Sequence, residues 1–440
     1  MQGPSFRSLP GETGLTHFLG ISLTRAYLQS SFSLLLFFAS WGIWWSFFQI
    51  WLTSEENGLG LSGSSVGIVY AANSLATLFF MIMYGTLQDR LGARRHLAIL
   101  AASAASLVGP FMIWIYRPLL ESSFALGVTV GAIFLSAGFL AAFALFEAIA
   151  ERISRRSGFE YGHARMWGSA GYAVVALLAG FLFTLDARLI FWMGSLFGVA
   201  LLLMLLFWKA PAAAQSPTEH EQQVPSLGDM IAVFKIGALW KLIAFVFFSW
   251  TFYTVYDQQM FPDFYTRLFD SAARGQQYYG MLNSAQVFLE AAMMGLVPML
   301  MHRIGVRNTI LLGALVMFLR ILGSAIFEDP MLISLVKMFH AIEVPLFVLA
   351  IFRYFTLHFN PALSATLYLV GFQISAQGGN IILSPLLGML RDSIGYQTTF
   401  SIISAIVLIA GLYAFFVLKR DDEDVHGEPF LSDTATARPA

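Results

Sequence analysis

Seven ionisable residues, Glu147, Arg165, Asp257, Glu290, Arg320, Lys337 and Glu343, lie within or at the edge of long apolar stretches, together with His340. A charge near a bilayer centre costs about 2.5–3.5 kcal/mol on insertion scales, so such residues face a polar cavity and act there. Both signs are present, with one imidazole. That combination suits a carrier that binds a polar solute and moves protons. Lys337, His340 and Glu343 recur every three residues and share one arc of a helix. Glu147 and Arg165 flank a basic turn, ERISRRSGFEYGHAR, that can bring two helices level. A carboxylate and a guanidinium so placed offer acceptors and a fork of donors for vicinal hydroxyls; they could equally be a buried ion pair that only fixes two helices.

The elements that must position these groups are membrane spans. Hydrophobic residues make up 58% of the 440-residue chain, charged residues 12%, and the net charge is −1. A soluble domain carries about 25% charged residues. Nothing in this balance suggests nucleic acid as a partner. The chain has no cysteine, which removes disulfides, thiolate metal sites and thiol nucleophiles from consideration. An intramembrane enzyme would need paired histidines or aspartates on facing helices, and His340 is the only histidine deep in a span. No segment outside the spans is large enough to be a sensor's output domain.

Twelve stretches reach the length of about 20 apolar residues that spanning requires: 30–52, 66–88, 96–116, 124–151, 166–185, 188–208, 239–261, 278–300, 308–327, 330–352, 363–388 and 397–418. With the N-terminus in the cytoplasm, 17 of the 25 Lys and Arg fall on the inner side and five outside. The positive-inside rule then predicts both termini in the cytoplasm. The segment 1–29 lacks the apolar core of a cleaved signal, so the first span is expected to serve as an uncleaved one. Residues 30–208 and 239–418 form two halves joined by a polar cytoplasmic loop at 209–238, and 419–440 reads as an acidic, disordered tail.

The halves echo each other. Gly85-Thr-Leu-Gln-Asp89-Arg90-Leu-Gly92-Ala-Arg94-Arg95 joins spans two and three, and Pro298-Met-Leu-Met-His302-Arg303-Ile-Gly305-Val-Arg307-Asn308 joins spans eight and nine. Parallel six-helix halves with a solute site at the midplane belong to one transporter architecture.

GTLQDRLGARR resembles the signature loop of the major facilitator superfamily. More closely, the chain resembles the oligosaccharide:proton symporters, the lactose permease group, and within it the sucrose-carrying members. The resemblance runs from about Arg25 to Phe416 and is densest in SWGIWWSFFQIWL (40–52), FEYGHARMWGSAGY (159–172), FYTVYDQQMFPDFY (252–265), LVKMFHAIEVP (335–345) and LSATLYLVGFQIS (363–375).

It implies an all-α membrane fold of twelve helices in two pseudo-symmetric bundles and a working monomer in the cytoplasmic membrane, driven by the proton gradient without a cofactor or metal. By resemblance, Glu147 and Arg165 match the acid and arginine that bind sugar, with Tyr172, in place of a tryptophan in the lactose carriers, stacking on a pyranose face. Glu343 matches the proton-carrying acid, with Arg320 as the partner that helps it release the proton. His340 orders the sugar and proton sites. Asp257 and Lys337 match a structural charge pair, and Gly85, Asp89, Arg90 and Gly92 belong to the gating loop.

Two departures bear on the substrate. The position of a sugar-contacting acid on span eight is Val287 here, and Glu290 comes one turn later. A second buried pair between spans seven and eleven is replaced by neutral Thr254 and Ala376. Losing both partners together strands no charge. The expected function is therefore proton-coupled import of a disaccharide, sucrose ahead of melibiose, lactose or maltose, with a drug exporter of the same superfamily as the alternative.

Overall fold

The computed structural model describes residues 24–91, 94–208, 233–360, 363–423 and 425–427. Among these the chain is helical, without strands. Twelve long helices follow the expected spans: α1 (Arg25–Thr53), α2 (Gly63–Leu91), α3 (Arg94–Ser106 continuing as Val108–Ser122), α4 (Phe124–Ser157), α5 (Tyr161–Leu185), α6 (Arg188–Phe207), α7 (Gly237–Thr266), α8 (Ala272–Ile304), α9 (Val306–Ile326), α10 (Pro330–His358), α11 (364–394) and α12 (Tyr396–Val417). Several run a turn or more beyond the apolar stretch, because polar residues continue a helix once it has left the hydrocarbon.

Ten of these helices are long and apolar enough to cross a membrane, and α3 makes an eleventh if its two pieces, bent by 51°, count as one. The bend falls just before Pro110, which cannot donate its backbone bond. Helix α11 falls short because Gln373, Gln377 and Asn380 interrupt its apolar run.

Helix starts follow ordinary capping chemistry. Thr24 accepts from the Tyr27 amide at 3.1 Å, and Asp329, ahead of Pro330, accepts from the Met331 and Leu332 amides, both at 2.9 Å. Gly305, at φ 86°, makes the turn between α8 and α9, a conformation that favours glycine. Its counterpart Gly92 lies outside the described residues; Gly85 is within α2, as is the backbone of Asp89 and Arg90. Wide π-type turns interrupt α7 at Phe247–Thr251 and Tyr256–Met260, and the second carries Asp257. Such turns re-aim the side chains beyond them and recur at functional sites.

The first six helices pack among themselves, as do the last six; α2 lies against α11 and α5 against α8 between the two bundles. These meetings are at the end away from Arg25 and Val417. At the α5–α8 crossing a Cβ placed on Gly280 would stand 2.9 Å from the Gly180 Cα, so the two backbones touch. A Cβ on Gly67 would collide with the Ser384 carbonyl of α11.

At the tip of the α2–α11 contact, the Asp392 carboxylate accepts from the amides of Gly63 and Ser64, both at 2.8 Å, and so caps α2 from the opposite bundle. Burial would raise the Asp392 pKa, yet the Ser64 and Gly63 amides and the Arg391 guanidinium hold it below the ordinary carboxylate range. Arg391 also donates to the Tyr396 hydroxyl at 2.9 Å, and Tyr396 donates to the buried Asp263 of α7.

Within the last six helices, the chain after α12 folds back. Asp421 accepts from the Val306 and Arg307 amides at the start of α9, and the His426 amide donates to the Leu357 carbonyl at 2.9 Å. These contacts involve the first residues of the expected tail; 428–440 lie outside the described residues.

Candidate functional site

A buried charge cluster occupies the middle of the second bundle. Arg320 on α9 and Glu343 on α10 form an ion pair with neither side chain exposed at all. The other Arg320 nitrogen donates to Asp257 on α7. Lys337 donates to the same Asp257 oxygen at 2.8 Å. The Asp257–Lys337 pair, which the resemblance implied as a structural pair, is therefore continuous with the Arg320–Glu343 pair. Asp257 joins them into one network of two acids and two cations.

Aromatic rings enclose it. The Arg320 guanidinium carbon lies 5.4 Å from the Tyr253 ring centre, 5.1 Å from Tyr256 and 5.5 Å from Phe261. The Tyr253 hydroxyl takes a bond from Arg320 at 3.1 Å and sits 2.5 Å from His340 Nδ1. Sequence reasoning missed this tyrosine, since nothing distinguishes it from the chain's other aromatics until α7, α9 and α10 are packed. His340 turns Nδ1 toward Asp257 and Glu343, at 3.4 and 3.5 Å, and Nε2 toward Glu290 on α8, at 3.9 Å. Among the described residues Glu290 has no Lys or Arg partner, and it is the most exposed carboxylate of this group, at 24% against 11% for Asp257 and none for Glu343.

That cavity, of about 200 Å³, lies between the bundles. From the first bundle come Trp45 and Tyr172; from the second come Asp257, Glu290, Lys337 and His340. Val287 lines it as well, one turn from Glu290. The position of Tyr172 depends on Gly42, where a Cβ would stand 2.5 Å from the Tyr172 ring. Tyr172 thus packs closely against α1 at Gly42, its ring at 78° to that of Trp41. Closure beyond the cavity is completed by the Tyr70 hydroxyl donating to the Gln258 carbonyl at 3.3 Å and by Phe47 against Tyr279.

Glu147 and Arg165 form their pair, Nε to Oε1 at 2.5 Å, but they do not line this cavity. Arg165 is seven residues, two turns, from Tyr172 toward the termini end. Both side chains are 27% exposed, so the pair is wetted rather than buried. Arg165 also donates to Ser169 at 3.0 Å and stacks 4.3 Å over Phe38, which fixes its plane. The neutral substitution between α7 and α11 has a structural counterpart: Thr254 donates to Asn380 at 3.2 Å, one turn from Ala376. Among the described residues no group of three or more His, Asp or Glu side chains is arranged so that it could hold a metal ion.

Taken together, the arrangement can bind a hydroxyl-rich solute between two bundles and hold a buried carboxylate against an arginine beside it. Comparison with known proteins places this geometry in a family context. A model of the LacY proton/sugar symporters matches residues 22–429. The chain is similar to the sucrose permease of Escherichia coli, with 41% identity over 92% of this chain and 97% of that relative. It is also similar to the raffinose permease of Escherichia coli, at 35% identity over 86% of this chain and 89% of that one. Among solved structures, the nucleoside transporter NupG superposes with a TM-score of 0.75 at 16% identity, covering 90% of this chain and all of that one. A D-xylose-proton symporter gives 0.64 at 15% identity, over 90% and 98% of the two chains. These two likenesses concern the fold.

Proposed function

This chain belongs to the LacY proton/sugar symporter family, and from that premise we propose that it imports a disaccharide, sucrose first, with protons across the cytoplasmic (inner) membrane by alternating access. It is a multi-pass carrier and not an enzyme. The observation that carries the reading is the cavity between the bundles, with Tyr172, Glu290 and His340 on its walls and the Arg320–Glu343 pair beside it.

In this reading both termini are cytoplasmic, 209–238 links the two half-domains, and the carrier works as a monomer in the lipid bilayer. The bundle contacts at the end away from the termini then make this the inward-facing state. Glu343 takes up a proton first. Sugar binds between Glu147, Arg165 and Tyr172 on one side and Glu290 and His340 on the other. Because Arg165, with Glu147 bound to it, stands two turns from Tyr172 toward the termini end, sugar engagement requires the bundles to close over it there. After sugar release Arg320 assists Glu343 in discharging its proton. Asp257 and Lys337 hold α7 to α10, and the loop of Gly85, Asp89, Arg90 and Gly92 acts in gating. Sucrose is favoured by the similarity to a sucrose permease and by the neutral Thr254–Asn380 contact.

The test is external pH in a lightly buffered anaerobic suspension of expressing cells, pulsed in turn with sucrose, lactose, melibiose and maltose. Alkalinisation on sucrose alone is expected. Sugar equilibrating without any pH change would overturn proton coupling, and a response to another sugar alone would correct the substrate.

A further inference from the structure

Four carboxamides line the cavity, those of Gln49, Gln258, Asn283 and Gln286, and the two most buried of them stand apart from the charged cluster. Gln49 on α1 and Gln286 on α8 line it from opposite bundles, and they are 2% and 3% exposed. The side-chain oxygen of each lacks a hydrogen-bond partner among the described residues. Gln49 has only a long contact through its nitrogen, 3.5 Å to the Thr53 hydroxyl. Buried polar atoms are nearly always paired, because an unfilled one keeps the cost of its desolvation. Two such oxygens bordering one polar cavity, one on each moving body, describe a place prepared for a hydroxyl donor.

Their positions give them a distinct part of the cavity. Gln49 is one turn past Trp45 and Gln286 one turn before Glu290, each toward the end where the bundles touch. Glu290 and His340 therefore occupy one side of the cavity and the amides its floor. A carboxamide both donates and accepts, which matches a hydroxyl's two roles without bringing in a charge. A site built to bond a hydroxyl rejects an analogue that lacks it, since the site's own polar group is then left unpaired.

We propose that Gln49 and Gln286 form a neutral subsite at the cavity floor that holds the second sugar ring and sets which disaccharide is carried. This rests on the symport reading above. It separates two tasks: the charged groups take one ring and respond to the proton, while the amides read the other ring without titrating. A ring bonded to both amides also ties α1 to α8, and with them the two bundles.

The test crosses substitutions with hydroxyl deletions in the full-length carrier. Q49L and Q286L keep side-chain volume and remove the amide. Affinity is measured for sucrose and for sucrose analogues each lacking one ring hydroxyl. In the unsubstituted protein, one or more deletions should weaken binding about tenfold. Q286L or Q49L should weaken sucrose by a similar factor and become indifferent to that same deletion, with protons entering per sugar unchanged. Q286E, which keeps an acceptor, should restore part of the loss. Deletions costing as much in the leucine variants as in the unsubstituted protein would overturn the proposal, as would unchanged sucrose affinity in both variants. Failure of the unsubstituted protein to bind or co-transport any sugar with protons would instead refute the symport reading, and is seen before any variant is made.

Discussion

Arg320 holds one oxygen of Glu343, while the other oxygen of that carboxylate is buried with no hydrogen-bond partner among the described residues. In the proposed mechanism this singly held, buried carboxylate is the coupling switch, with the Arg320 guanidinium as its partner. Glu343→Gln keeps the shape and removes the charge. Sugar exchange down its gradient should continue in that variant, and uphill accumulation should disappear. Parallel counterflow and proton-driven uptake assays in membrane vesicles separate the two, and accumulation that survived would remove Glu343 from the mechanism.

Sharing Asp257 between Lys337 and Arg320 makes the two ends of that pair unequal. Removing Lys337 leaves Asp257 with Arg320. Removing Asp257 leaves two buried cations with Glu343 alone. Stranding a buried charge costs about 3–5 kcal/mol. Asp257→Ala should therefore lower the thermal unfolding midpoint in detergent much more than Lys337→Ala, and the double variant should regain most of the difference. Equal losses from the two single variants would mean that Arg320 does not depend on Asp257.

Arg165 bonds Glu147 and Ser169 and lies flat over Phe38, a geometry that uses the planar fork. Lysine supplies the charge without the fork. Arg165→Lys should lower sugar affinity at least tenfold while the fold is retained, as read by direct binding to purified protein. An unchanged affinity would make the pair a helix fastener only.

The carboxylate of Asp392 supplies the hydrogen-bonded part of the bundle contact at the tip of α2. Because the chain has no cysteine, a single one introduced at Ser46, on the cavity wall, reports access from the medium. Asp392→Ala should raise its labelling by an impermeant maleimide several-fold, with Asp392→Asn between, since an amide oxygen still accepts. The Asp392 pKa is depressed, so its contribution is complete above the ordinary value near 3.9 and is lost only as pH falls through its lower folded value. Labelling with Asp392 intact, taken as a ratio to labelling of the Asp392→Ala protein at the same pH so that the thiol's own ionisation cancels, should thus be constant from about pH 5 upward. A midpoint near neutrality would assign the closure to another group.

Charges inside apolar runs were legible because lipid tolerates so few of them. All eight residues selected this way are within the described structure, and Asp257, Arg320, Lys337, Glu343, His340 and Glu290 gather in one place. What spacing along a helix could not show is which acid two cations share, because that depends on how α7, α9 and α10 rotate against one another. Gln49, Gln286 and Tyr253 carry no compositional signal, being ordinary residues in long helices. Asp392 lies four residues past the end of its apolar stretch and carries no signal there; only the approach of α2 from the other bundle gives it the Gly63 and Ser64 amides. Pro110 is readable in the sequence next to the bend of α3, as are Gln373, Gln377 and Asn380 at the break in the apolar run of α11.

At the α5–α8 crossing, Gly180 and Gly280 meet backbone to backbone, with no side chain between them. Such a contact works as a bearing. The side-chain hydrogen bond that links the two helices, Gln277 to Thr184 at 3.4 Å, lies a turn beyond the glycine contact, so the crossing point itself carries only backbone packing when the bundles rock. Resistance to opening is thereby delegated to fasteners away from the pivot and to whatever fills the cavity, which is how a carrier can stay firmly shut and still turn over quickly.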